Sequence, residues 1–177
     1  MPCPPFFLLA VLLLILQTAF FPLLPGWLAY LDPLFVLLVF IAIRFDPFRA
    51  ALMVTLIGML LDIFSGIFSG LHPLTFLCLL LLIKTISHLL ALVESIHQVP
   101  LVLASYIFVT TFSYGAISTL SPEAATSIPW QQIIIRLFML AIITMPLFSF
   151  FDLVMTKFTP KKALQILIRP QRGNRFR

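Results

Sequence analysis

The sequence predicts an all-α integral membrane protein of about six transmembrane helices, and three observations carry that expectation. The chain has 177 residues, 62% of them hydrophobic and only 10% charged, whereas soluble domains are nearer a quarter charged. The apolar residues fall into long runs separated by short turns, and a run of about 20 apolar residues crosses the hydrocarbon core of a bilayer. Seven of the eleven Lys and Arg residues lie between Lys157 and Arg177. A water-soluble domain of this size leaves too much surface exposed to hide such a composition. One membrane domain over residues 1–156 and a basic cytoplasmic tail over 157–177 account for the chain.

The elements follow in order. The first helix is expected from Pro5 to Leu24, interrupted by Gln17 and Thr18 and ended by Pro25 and Gly26, with Trp27 and Tyr30 as interfacial anchors. With no Lys or Arg ahead of it and no small-residue cleavage site, it is expected to be retained and not removed as a signal peptide. The second is short, Leu31 to Ile43, with Asp32-Pro33 at its start. After a turn holding Arg44, Asp46, Pro47 and Arg49, the third runs from Phe48 to Phe68. The turn Ser69-Gly70-Leu71-His72-Pro73 leads to a fourth helix ending near Val93. The fifth spans Leu101 to Leu120; a loop from Ser121 to Trp130 follows; the sixth spans Gln131 to Thr156 with Pro146 as a kink.

The basic residues set the orientation. With both termini inside, ten of the eleven basic residues lie on or toward the cytoplasm, as the positive-inside rule requires. The tail carries a helix-start signal at Thr159-Pro160 and an apolar face of Leu164, Leu167 and Ile168 beside Lys161 and Lys162. This is either a short surface helix on anionic lipid or a disordered basic tail. It is too short, and too poor in aromatic residues, for a nucleic-acid arm. Cys3 and Cys78 have no metal-type spacing and read as free thiols.

Charges inside a bilayer cost roughly 2.5–3.5 kcal/mol each on insertion scales, so each needs a reason. Thr55, Gly58, Asp62, Ser65 and Gly66 share one face of the third helix at three- and four-residue spacing. That stripe is either a close-packing face or a buried site. Arg136 lies one to two turns into the sixth helix, at about the depth of Asp62, so an Asp62–Arg136 ion pair is expected, with snorkelling of Arg136 as the alternative. Lys84 and His88 share a face of the fourth helix, and Lys84 reads as a snorkelling residue or a member of a polar pathway. Thr111, Tyr114, Gly115 and Ser118 form a small polar face on the fifth helix, expected to pack against another helix, and Gln17 is an interhelical hydrogen-bond donor. No nucleophile–base pair, phosphate-cradling loop or paired-His motif is present, so no catalytic, cofactor or metal residues are assigned.

Several of these residues together resemble the rod shape-determining protein MreD family. They are Gln17 near the end of a leucine-rich first helix, the acidic residue and proline opening the second (Asp32, Pro33), the Arg-containing turn, and above all Gly58, Leu61, Asp62, Ser65, Gly66, Gly70, Leu71 and His72. The order Asp32-Pro33 is the reverse of the family's proline-then-acid. The resemblance covers nearly the whole chain, and length, helix number and basic C-terminus agree with it.

It implies a non-enzymatic bacterial inner-membrane scaffold of the cell-elongation machinery. The implied partner is an MreC-like bitopic protein, and through it MreB and the peptidoglycan-synthesising glycosyltransferase and transpeptidase. It also implies a six-helix architecture similar to the substrate-capture subunits of energy-coupling-factor transporters, and no cofactor. The alternative is a small-molecule capture or transport subunit of that kind, with Asp62, His72, Lys84 and Arg136 lining a cavity. Against it, helix one lacks an alanine pair at four-residue spacing, since Ala10 and Ala19 are nine apart.

Overall fold

The computed structural model describes residues 3–20, 31–65, 70–90, 98–120 and 130–158. Among them every regular element is helical: α1 (Cys3–Ile15), extended by a π-helical turn over Leu16–Phe20, then α2 (Pro33–Arg44), α3 (Pro47–Ser65), α4 (Leu71–Leu90), α5 (Gln98–Leu120) and α6 (Trp130–Phe158). Three stretches, Pro47–Ser65, Gln98–Thr119 and Trp130–Lys157, are long and apolar enough to cross a membrane. The chain is an all-α membrane protein on those grounds. The expected tail helix and Gly66 lie outside the described residues.

Helix α2 is the organising element. It has 12 residues, and Pro33 through Ala42 are all buried. A helix that is apolar all round needs a neighbour on every side, and α2 packs on α1, α3, α4, α5 and α6. Phe40 anchors the centre, stacked on Phe6 of α1 at 5.8 Å and meeting Phe148 and Phe151 of α6 at 5.4 and 5.5 Å. Aromatic pairs in such geometry add about 0.5–1.5 kcal/mol beyond their burial.

The outer surface inverts the soluble pattern. On α3, Leu52, Leu56, Met59 and Ile63 recur at helical spacing and are all exposed, while Ala50, Val54, Ile57 and Gly58 face inward. Helix α6 exposes Ile134, Phe138, Ile142 and Met145 in the same way. Apolar stripes of this extent mark a surface that lipid covers.

The helix pairs alternate in direction, which defines two ends. At the near end, where the chain begins, Phe6 meets Phe45 at 5.2 Å and Arg44 meets Asp152 at 3.2 Å. Lys84, from α4, donates to the Phe45 carbonyl oxygen at 2.6 Å. Phe45 is the C-cap of α2, so Lys84 places its charge on the negative pole of a helix whose last carbonyls have no partner within the helix. Lys84 therefore has a defined acceptor inside the fold. The expected helix ends shift by a few residues. His72-Pro73, expected in a turn, lies in the first turn of α4, and α5 begins at Gln98, three residues earlier than expected.

Candidate functional site

The far end is built around Asp62. Its side chain is 6% exposed, and its two oxygens collect three donors from the start of α4. Oδ2 accepts from the Gly70 N–H at 2.5 Å; Oδ1 accepts from the His72 N–H at 3.2 Å and from His72 Nδ1 at 2.5 Å. The first N–H groups of a helix have no partner inside it and carry its positive pole. They need acceptors from elsewhere, and α3 supplies the cap that α4 lacks. Gly70 reaches this arrangement at φ +100°, a region where L side chains are strained. One turn back along α3, Gly58 lies against Pro73, and a Cβ there would come within 2.7 Å of the Pro73 Cα. Glycine at 58 is what lets the two helices approach closely enough for the cap to form.

A carboxylate only accepts, so Nδ1 of His72 carries the proton in this contact. The ring is 29% exposed and borders a cavity of about 310 Å³. The cavity lies over the far end of α2, against Leu34, Phe35 and Leu38. Twelve residues make a helix of about 18 Å, well short of the roughly 30 Å of bilayer hydrocarbon. The longer helices continue past the end of α2, and the cavity occupies that space.

Polar groups from five helices or helix ends converge there. Gln17 on the π turn donates to Asp32 Oδ1 at 3.0 Å, and the same oxygen accepts from the Phe35 N–H at 3.2 Å. Asp32 is thus the N-cap of α2 with Pro33 in its first turn, which is why acid precedes proline here. Helix α5 contributes Tyr106, Thr110, Ser113 and Tyr114, and α6 contributes Gln132 and Arg136. The π turn that presents Gln17 begins where Thr18 Oγ1 bonds back to the Leu14 carbonyl at 2.8 Å, a competition with the helix ladder that such side chains exert.

Of the residues singled out in the sequence, Gln17, His72 and Arg136 line this one cavity. Gly58, Asp62 and Gly70 form the wall behind His72. Ser65 is exposed and bonds to the Leu61 carbonyl of its own helix. The expected Asp62–Arg136 pair is corrected. Asp62 turns toward α4, where Gly70 and His72 engage both of its oxygens. Depth along the helices placed Asp62 and Arg136 at the same end, but α6 packs on α2 and α5, whereas Asp62 faces α4.

The expected packing face of α5 is also corrected. Among the described residues nothing lies within 4 Å of a Cβ built on Gly115, Thr111 and Ser118 are exposed, and Tyr114 faces the cavity. The cavity face is Tyr106, Thr110, Ser113 and Ile117. Their helical spacing, together with Gln132 and Arg136 four apart on α6, was the signal available in the sequence. Lys84 lies at the opposite end and does not line the cavity.

No family model, curated protein or solved structure matches this chain. Among the described residues no three His, Cys, Asp or Glu side chains group as metal ligands. The Asp62–His72 pair has the look of a base and its orienter, yet no serine, threonine or tyrosine hydroxyl bonds His72 among the described residues. The arrangement positions a hydrogen-bonding ring at a cavity wall.

Proposed function

We propose that this chain is a non-enzymatic scaffold of the bacterial cell-elongation complex. It spans the inner membrane six times with both termini in the cytoplasm and binds an MreC-like bitopic partner. The observation that supports this reading is the interlocked turn between α3 and α4. The residues that carry the resemblance to the MreD family, Gly58, Asp62, Gly70 and His72, are those that shape this turn. A pattern that builds a fold is the kind a family shares for architectural reasons. Short connections leave no soluble domain for chemistry, and the exposed apolar faces of α3 and α6 offer surface to a partner helix as well as to lipid. In this orientation the cavity opens toward the periplasmic side, and the basic tail lies against anionic lipid on the other.

The test is mild crosslinking of the tagged chain in its bacterial host, followed by identification of what co-purifies in gentle detergent. A bitopic coiled-coil protein together with the wall-synthesis glycosyltransferase and transpeptidase is the expected result. Recovery of an ATP-binding-cassette module without them overturns the reading.

The cavity favours a second reading, a small-molecule capture subunit of the energy-coupling-factor kind. A concave space near 300 Å³, with polar groups converging over an apolar floor of Leu34, Phe35 and Leu38, has the size of a ligand site. A tightly held small molecule in the purified protein, with no wall-synthesis partner, makes this the working reading.

A further inference from the structure

We propose that the far-end cavity binds one neutral sugar ring, a hydroxyl-rich pyranose of monosaccharide size. The inference goes beyond the scaffold reading and does not depend on it.

The charged groups at this end are already answered. Gly70 and His72 engage both oxygens of Asp62. Asp32 holds Gln17 and the Phe35 N–H, and Arg136 has an interaction of its own. An ion entering the cavity would give up its hydration for partners committed elsewhere, and such burial is costly.

The capacity that remains is neutral. Helix α5 turns Tyr106, Thr110, Ser113 and Tyr114 to the cavity, and their hydroxyls bond nothing among the described residues. Elsewhere in the bundle such hydroxyls return to a carbonyl of their own helix, as at Thr55, Thr75 and Thr144, the usual bond for these side chains. Tyr106 is only 7% exposed, yet its hydroxyl is neither bonded nor sealed among the described residues, so it opens on the cavity. A hydroxyl both donates and accepts. A stripe of them, with the Gln132 amide on α6, matches a ligand whose polar atoms also do both. An ammonium only donates and a phosphate mainly accepts, and each would leave half of this capacity unused.

The floor beneath is apolar, made by Leu34, Phe35 and Leu38, and Phe35 meets Tyr106 edge to face at 5.5 Å. A pyranose has C–H faces and a hydroxyl rim, so it suits a polar rim over an apolar, partly aromatic floor. The volume, about 310 Å³, equals roughly ten water molecules at ~30 Å³ each, room for one such ring and little more. Two sources present this chemistry: a free monosaccharide, and the headgroup of a neutral glycolipid.

The experiment uses the full chain purified in lauryldimethylamine oxide, because a glycoside detergent would compete for the site. Calorimetry titrates methyl glucoside, with cyclohexylmethanol as a ring of like size that lacks the hydroxyl rim. Native mass spectrometry measures retention of monoglucosyl diacylglycerol against diacylglycerol. Preference for the glycolipid of about tenfold or more, roughly 1.4 kcal/mol, assigns the lipid source. Binding of methyl glucoside without that preference assigns the free sugar. In either case the double variant Tyr106→Phe with Thr110→Val, which removes two hydroxyls at nearly constant volume, weakens binding about tenfold or more, and Ser113→Phe, which fills the cavity, abolishes it. Absence of binding in both arms means a cavity that holds only water and overturns the proposal. Equal binding of cyclohexylmethanol, or binding undiminished by either variant, overturns it too. If one variant does not accumulate as folded protein, the other decides alone. Partner recovery in the crosslinking experiment is a separate readout, so this inference and the scaffold reading fail independently.

Discussion

The two ends of the bundle handle charge in opposite ways. At the near end the groups answer one another: Arg44 with Asp152, Asp46 with Arg49, Lys84 with the Phe45 carbonyl. At the far end Asp62 is fully engaged, but the groups in front of it surround a space. Gln17 keeps an unpaired oxygen among the described residues, and His72 turns one ring nitrogen away from its partner. A polar group whose bonding is complete explains the fold. A polar group with capacity left over marks where packing does not complete the bonding.

That contrast is sharpest at Asp62. Asp62→Ala leaves three donors at the start of α4 unpaired in a buried place, and a loss of roughly 3 kcal/mol or more is expected. Thermal unfolding of the purified variant in detergent measures it. A loss under 1 kcal/mol would mean that the far end does not depend on this cap. Gly58→Ala comes next. Its new methyl meets the Pro73 backbone, and overpacking of this sort costs about 1–3 kcal/mol. If the same melts show Gly58→Ala as stable as wild type, α3 and α4 are not held as close as described.

At the near end, Lys84→Met removes the cation from the C-terminus of α2 while keeping an apolar stem. The expected cost is about 1–2 kcal/mol, from a charged hydrogen bond and the helix pole, read from the same melts. The smallest effect belongs to Arg44→Gln. Arg44 and Asp152 are 35% and 42% exposed, and pairs of that kind contribute about 0–1 kcal/mol. A larger loss for Arg44→Gln than for Lys84→Met would reverse the ranking and place the near-end closure in the ion pair.

The sequence carried the helices because apolar run length is a local property, and each of the six expected helices has a counterpart. It also carried which residues are unusual: Gln17, Asp62, His72 and Arg136 all lie at one end. What it did not carry is direction around the helix axes. Asp62 and Arg136 match in depth, yet one faces α4 and the other the cavity. Nor does a linear pattern reveal that α2 is surrounded, because a short apolar run reads alike at the centre and at the edge of a bundle. The cavity follows from that placement, so Asp32 read only as a helix start and Tyr106, Thr110 and Ser113 drew no notice.

The brevity of α2 bears on how the protein is made. A segment of 12 residues with no lipid-facing stripe is a poor substrate for insertion by itself, since the machinery that releases helices into a bilayer selects for length and apolarity. Only Phe45 and Asp46 separate α2 from α3, which is long enough to span. The two therefore enter as a hairpin, with α3 supplying the drive and α2 carried beside it. The α2 helix reaches its final surroundings only when α5 and α6 have been synthesised and close around it.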